Sequence, residues 1–116
     1  DLDLSPFGEA SLETTLSAVI THMIEAKILD WSTAIDRLST APARIAGIAG
    51  GTLTVGAKAD IVIIDPEDTW TVDGSKFRSH CISSPLDGQT LKGRASHTIV
   101  GGAVRFRRRP ERQHLA

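Results

Sequence analysis

The apolar residues of this 116-residue chain change their spacing near Gly51, and this change constrains the fold more than any other feature. Before Gly51 they recur at steps of three and four, which is the period of a helix with one buried face. After Gly51 they alternate or form short unbroken runs, which is typical of strands. The sequence therefore predicts an α+β chain with helices first and strands second.

The longest predicted helix covers about residues 12–26, and Ser11 precedes it in the N-cap position. Its apolar stripe consists of Leu12, Leu16, Val19, Ile20, Met23 and Ile24. A carboxylate in a first turn interacts favourably with the helix dipole, and a threonine there can bond locally. We therefore interpret Glu13 and Thr14 as capping residues rather than catalytic ones.

Two shorter helices are predicted to follow. Asp30 is placed to cap the first of them, in which Trp31, Ile35 and Leu38 share an apolar face. Pro42 suits the first turn of the other helix, because the N–H that proline lacks is unpaired there in any case. The helical half is expected to end at the glycines Gly47, Gly50 and Gly51.

Short strands are predicted in the second half, over residues 52–55, 61–64, 69–72, 97–100 and 103–106. Gly56-Ala57 and Gly101-Gly102 would turn neighbouring strands into hairpins, and Asp65-Pro66 would stop a buried strand. Residues 73–96 are polar and are expected to be irregular. So small a sheet would have unpaired edges, so we expect partners from outside this chain.

One segment of the second half resembles a known family. Residues 51–66, GTLTVGAKADIVIIDP, are similar to a segment near the carboxyl end of amidohydrolase-superfamily enzymes, and APARI at 41–45 is similar to the helix that leads into it. Both segments are structural. Hydantoinases, allantoinases, deacetylases and dihydroorotases share them, so they do not choose among these enzymes.

The choice comes from SPFG at residues 5–8 and LETTL at 12–16, which resemble the dihydroorotase pattern of a Pro-Phe-Gly loop before a Leu-Glu-Thr helix start. SPLDG at 84–88, LKG at 91–93 and TIVGG at 98–102 resemble that family's closing segment. The chain departs from the pattern at Ser11, where the family commonly has glycine. The Arg-rich end after Phe106 matches no segment of the family.

This resemblance implies a zinc-dependent cyclic amidohydrolase that reversibly hydrolyses dihydroorotate to N-carbamoyl-L-aspartate in pyrimidine biosynthesis. The family fold is a TIM-like (β/α)8 barrel with a composite β-sandwich. Residues 1–50 would then hold the last barrel helix and the connecting helices, and residues 51–106 would supply strands of the sandwich. Residues 107–116 are predicted to be a disordered basic tail.

The metal ligands of the family are a His-x-His pair, a carboxylated lysine, further histidines and an aspartate. This chain has only His22, His80, His97 and His114, and no His-x-His. His80-Cys81 has no second pair at a zinc-ligand spacing. We therefore expect no metal ligand and no catalytic residue in this chain, which would begin just after the last ligand and would be inactive alone.

Two substrate-binding residues are implied by the resemblance, Phe7 and Gly8. In the family the matching loop borders the dihydroorotate ring or its carboxylate. The alternative is that Pro6-Phe7-Gly8 is only a turn between an opening strand and the first helix.

The whole protein has two further interpretations, a non-catalytic dihydroorotase-like scaffold for aspartate transcarbamoylase and another cyclic amidohydrolase of the hydantoinase or allantoinase type. Cys81 is the single cysteine, and no apolar run reaches the roughly 20 residues of a membrane span. We therefore expect a cytoplasmic protein without a membrane partner. Its exposed sheet edges favour a homo-oligomer.

The arginines near the end of the chain could in principle contact nucleic acid. They are Arg105, Arg107, Arg108, Arg109 and Arg112, and Phe106 is the one aromatic residue among them. Clustered guanidinium groups bind phosphates, but stacking aromatics and a recognition motif are missing. We interpret this cluster as a solvated terminus and expect no nucleic-acid partner.

Overall fold

The computed structural model describes residues 8–108, in which short α-helices precede the strands. They are α1 Thr15–Val19, α2 Trp31–Ile35 and α3 Ala41–Ala46, then β1 Ile61–Thr71, β2 Thr90–Val100 and β3 Ala103–Arg107. π-Helical turns, Ile20–Ile24 and Asp36–Thr40, continue α1 and α2, and a 3-10 turn covers Gly74–Lys76. The predicted α+β order is confirmed, while the predicted opening strand lies largely outside the described residues.

The first helix begins later than predicted, at Thr15, because residues 12–14 form a turn. The Ser11 carbonyl oxygen accepts from the N–H groups of Thr14 and Thr15, at 3.0 and 2.9 Å, and from their hydroxyls, at 3.1 and 2.7 Å. The predicted Ser11 cap is wrong, since α1 has no side-chain cap. Thr14 bonds locally as predicted, but it is the N-cap residue of α1 and its side chain makes no cap hydrogen bond, so its predicted capping role is wrong.

The signals predicted for the other two helices are confirmed. Asp30 caps α2, with its Oδ1 accepting from the Thr33 N–H at 2.7 Å. That backbone hydrogen bond is the main reason that the pKa of the Asp30 carboxyl is lowered. Pro42 lies in the first turn of α3, and Gly47 ends this helix with φ +66°.

The strands form one sheet in the order β1-β2-β3, and β2 and β3 are antiparallel. The predicted turn at Gly101 and Gly102 is confirmed, with φ +57° and +80°. Arg107, which was predicted to lie in the basic tail, is instead the last residue of β3 and pairs with His97. The Arg108 N–H also donates to the Ser96 carbonyl, at 2.8 Å.

The other strand predictions need correction. The strands predicted over 61–64 and 69–72 are parts of the single β1, which continues through Asp65-Pro66. Proline donates no hydrogen bond, but β1 is an edge of the described sheet, where one side of the strand has no partner and proline is tolerated. Residues 52–55 form no strand, so Gly56-Ala57 joins no hairpin, and residues 90–96 are the start of β2 rather than irregular.

The chain divides into two compact units. Unit 1 contains the residues up to Leu29 and Pro66–Arg94, and unit 2 contains Asp30–Asp65 and the residues from Ala95 onward. The buried side chains of unit 1 include Thr14, Ser17, Ile20, Val72 and Leu91, whereas those of unit 2 are alanines, Ala34, Ala41 and Ala43. No helix among residues 8–108 has the length and apolarity to cross a bilayer.

Candidate functional site

A groove of about 660 Å³ lies in unit 1, next in sequence to the predicted substrate loop. Residues 9–13, which follow Gly8, and residues of the segment 78–81 line it. The lining residues are Glu9, Ala10, Ser11, Leu12, Glu13, Arg78, Ser79 and Cys81. Its volume is in the range of small-molecule sites.

Gly8, one of the two predicted substrate-binding residues, directly precedes the lining residues 9–13. Gly8 is exposed, and a methyl group in place of its α-hydrogen would meet no atom within 4 Å. Its backbone is therefore accessible in unit 1. Phe7, the other predicted residue, lies outside the described residues.

Contacts attach residues 10–13 to residues 78–83, the segment that includes the second side of the groove. The Ala10 N–H donates to the Ser83 carbonyl at 2.8 Å. Glu13 Oε1 accepts from the N–H groups of Arg78 and Ser79, at 2.8 and 3.2 Å. The prediction that Glu13 caps α1 is therefore wrong, because its carboxylate bonds to residues 65 and 66 positions away.

Behind this segment, α1 and the turn after it are hydrogen-bonded to β2. Ser17 Oγ donates to the Gly93 carbonyl and accepts from Trp70 Nε1 at 3.0 Å. Thr21 Oγ1 accepts from the Lys92 N–H at 2.8 Å and donates to its carbonyl at 3.4 Å. All buried side-chain nitrogens and oxygens of the described residues have partners. The network therefore fixes α1 without an unpaired polar group.

Charged pairs complete unit 1. The Arg94 guanidinium donates to both oxygens of Asp68, at 2.7 and 2.9 Å, and its Cζ lies 5.2 Å from the centre of the Trp70 ring. Lys92 Nζ lies 2.8 Å from Glu25 and 3.8 Å from Glu67, and the hydrogen bond to Glu25 is the main reason that the Lys92 pKa is raised. These groups stabilise the unit and do not line the groove.

In unit 2, Asp60 holds the turn between β2 and β3. Its Oδ1 accepts from the Gly101 N–H at 2.7 Å, and its Oδ2 lies 3.1 Å from Lys58 Nζ. The Gly101 hydrogen bond, followed by that of Lys58, lowers the pKa of the Asp60 carboxyl. Asp60 is thus engaged in the turn.

A zinc site does not fit the described part of the chain. Within residues 8–108, no three His, Cys, Asp or Glu side chains are grouped so that they could hold a metal ion. His22 and His80 are exposed, and His97 Nδ1 lies 3.1 Å from Ser96 Oγ. His114 lies outside the described residues.

Known proteins similar to this chain include enzymes named dihydroorotase. A protein of Rhodopirellula baltica provisionally named dihydroorotase is 58% identical over 110 residues, which are 95% of this chain and 24% of that protein. The dihydroorotase of Caldanaerobacter subterraneus is 42% identical over 106 residues, 91% of this chain and 24% of that enzyme. The chain thus spans about a quarter of the length of these relatives.

Solved structures of hydantoinases share the fold. L-Hydantoinase (dihydropyrimidinase) from Arthrobacter aurescens matches with a TM-score of 0.82 and 33% identity, over 90% of this chain and 24% of that one. Dihydropyrimidinase from Brevibacillus agri matches with a TM-score of 0.74 and 23% identity, over 79% and 20% of the two chains. The model of the amidohydrolase family matches residues 9–106, and this chain therefore belongs to the amidohydrolase family.

Proposed function

We propose that this chain is the carboxyl-terminal part of a dihydroorotase, which reversibly hydrolyses dihydroorotate to N-carbamoyl-L-aspartate. The observation that carries the proposal is identity of 58% and 42% to proteins named dihydroorotase, over nearly the whole chain. The hydantoinase structures point to a different cyclic amide, but at only 33% identity or less. We give the sequence relatives more weight, because one fold can serve several substrates. The longer protein is called the parent protein below.

The division of the chain follows from this proposal. Residues 1–50 would contribute the last helix of a (β/α)8 barrel and the connecting helices, and residues 51–106 would contribute strands of the β-sandwich. The order of helices and strands, and the quarter of each relative that the chain spans, support this division.

The role of this chain would be to supply one wall of the substrate site. Phe7 and Gly8 would contact dihydroorotate, and residues 9–13 would hold them in place. The accessible backbone of Gly8 and the adjoining groove support this role. Catalytic side chains and the zinc ligands would come from the rest of the parent protein, since no three His, Cys, Asp or Glu side chains of the described residues are grouped to hold a metal ion. No step of the reaction is therefore assigned to residues 8–108.

The test uses the purified parent protein and a panel of dihydroorotate, hydantoin and dihydrouracil. We expect hydrolysis of dihydroorotate, at least tenfold preferred over the other two, and loss of this activity after treatment with a metal chelator. A preference for hydantoin would favour the hydantoinase alternative. Chelator-sensitive hydrolysis by the isolated 116-residue chain would contradict the assignment of catalytic groups to the rest of the protein.

The gene sequence upstream of Asp1 distinguishes between an active enzyme and a non-catalytic scaffold. An intact His-x-His pair and a ligand lysine would support the enzyme. Their absence, together with co-purification of aspartate transcarbamoylase, would support a non-catalytic scaffold. We further propose that the parent protein is a cytoplasmic homo-oligomer. Several large apolar side chains of unit 2 are more than half exposed, as Ile45 is at 84%, and the rest of the parent protein or another subunit would cover them.

A further inference from the structure

The carboxylate of Glu13 joins two segments that are far apart in sequence. One oxygen, Oε1, accepts from the successive N–H groups of Arg78 and Ser79. Hydrogen bonds to an ionised oxygen are stronger than those to a neutral one, and two adjacent donors also fix the direction of the side chain. Glu13 is therefore a clamp between the start of α1 and residues 78–79.

This clamp also limits the movement of the residues before it. The Ala10 N–H is bonded to the Ser83 carbonyl, and the Ser11 carbonyl accepts four hydrogen bonds from Thr14 and Thr15. Residues 10–13 are therefore anchored at both ends. Gly8 lies two residues before Ala10, and a side chain there would meet no atom within 4 Å, so we expect its position to follow that of this anchored segment.

We propose that Glu13 is a positioning residue for substrate binding, which holds residues 9–13 against residues 78–79 and so fixes Gly8 at the end of the substrate loop. The inference rests on the proposed function, in which that loop contacts dihydroorotate. Glu13 itself does not touch the substrate. Because the reacting groups lie elsewhere in the parent protein, loss of the clamp weakens binding and leaves the chemical step nearly unchanged.

The test compares steady-state kinetics of the parent protein with its variants. Glu13→Ala removes the acceptor, and we expect the KM for dihydroorotate to rise about tenfold, with kcat within about twofold of the wild type. Glu13→Gln keeps a neutral oxygen at the same reach, so its KM should rise only about threefold. Glu67→Ala is the matched control, because it removes the same charge from unit 1 and does not line the groove. It should keep the wild-type KM.

Hydrogen exchange of the Arg78 and Ser79 amides, followed by mass spectrometry, reports on the clamp without turnover. Exchange should be faster in Glu13→Ala and unchanged in Glu67→Ala. Faster exchange with an unchanged KM, or a fall in kcat alone, would overturn the positioning role. If Glu13→Ala does not fold, a wild-type KM in Glu13→Gln would overturn it. A parent protein inactive on dihydroorotate would refute the proposed function instead, while the exchange experiment would still test the clamp.

Discussion

Gly93→Ala tests how α1 and its following turn pack against β2 in unit 1. Gly93 has φ +82°, where an L-residue costs about 1–2 kcal/mol. The new methyl group would overlap Ile20 Cδ1 and lie 3.1 Å from its Cγ2 and 3.2 Å from its Cβ. Ile20 is only 1% exposed, so its side chain cannot swing into water, and overpacking costs about 1–3 kcal/mol. We expect unit 1 to lose about 2–5 kcal/mol of stability.

Native-state hydrogen exchange of the parent protein measures this loss locally, so the measurement does not require two-state global unfolding. Each 1.4 kcal/mol speeds exchange about tenfold, so peptides from α1 and β2 should exchange at least about 30-fold faster. Gly102→Ala is the matched control. Gly102 has φ +80° but no atom within 4 Å of the added methyl, so only the backbone cost of about 1–2 kcal/mol applies.

The steric part of the loss should disappear when Ile20 is shortened. Ile20→Ala alone is destabilising, by about 2–5 kcal/mol, but it leaves space for the methyl group of Gly93→Ala. In that background Gly93→Ala should cost no more than Gly102→Ala. An equal cost of Gly93→Ala in both backgrounds would refute the packing argument, and so would equal costs of Gly93→Ala and Gly102→Ala in the wild type.

Arg94→Lys breaks the bidentate pair with Asp68, in which the two side chains are 14% and 22% exposed. Hydrogen exchange should show that unit 1 loses about 1–3 kcal/mol of stability, and exchange as slow as in the wild type would contradict this. Asp30→Ala should speed exchange in α2 at neutral pH. The pKa of Asp30 in the folded chain lies below its ordinary value of 3.8, so the stability that its carboxylate contributes is present above pH 3.8 and is lost as the pH falls through the folded pKa. Exchange in α2 of the variant should therefore lack this loss of protection in acid. In the isolated chain, unit 2 should exchange faster than unit 1, since its buried apolar residues are alanines; equal protection would contradict this.

Most features that depend on neighbours in sequence could be predicted, although the Ser11 cap could not. A cap, a proline in a first turn and a glycine that ends a helix each involve residues within four positions, which is why Asp30, Pro42 and Gly47 were predicted correctly. The turn at Gly101-Gly102 belongs to the same class. The predicted substrate loop came from family resemblance rather than from physical patterns.

Features that depend on distant residues could not be predicted. Glu13 carries the same sequence signal whether it caps its own helix or accepts from amides 65 and 66 residues away. Pro66 predicts the end of a strand, but whether a strand tolerates proline depends on the position of that strand in the sheet, which no local pattern reveals. The groove was missed for the same reason, because its second side, residues 78–81, has only the signature of a polar loop.

The departure from the dihydroorotase pattern at Ser11 shows which part of the loop matters physically. Glycine is strongly favoured where φ is positive, but Lys27 is the one non-glycine residue with positive φ among residues 8–108, so Ser11 bears no such strain. Its four hydrogen bonds to the next turn all use the carbonyl oxygen, which every residue possesses. Serine can therefore replace glycine here without altering the backbone. What it adds is a side chain that lines the groove, so the departure changes the chemistry of the groove and leaves the loop intact.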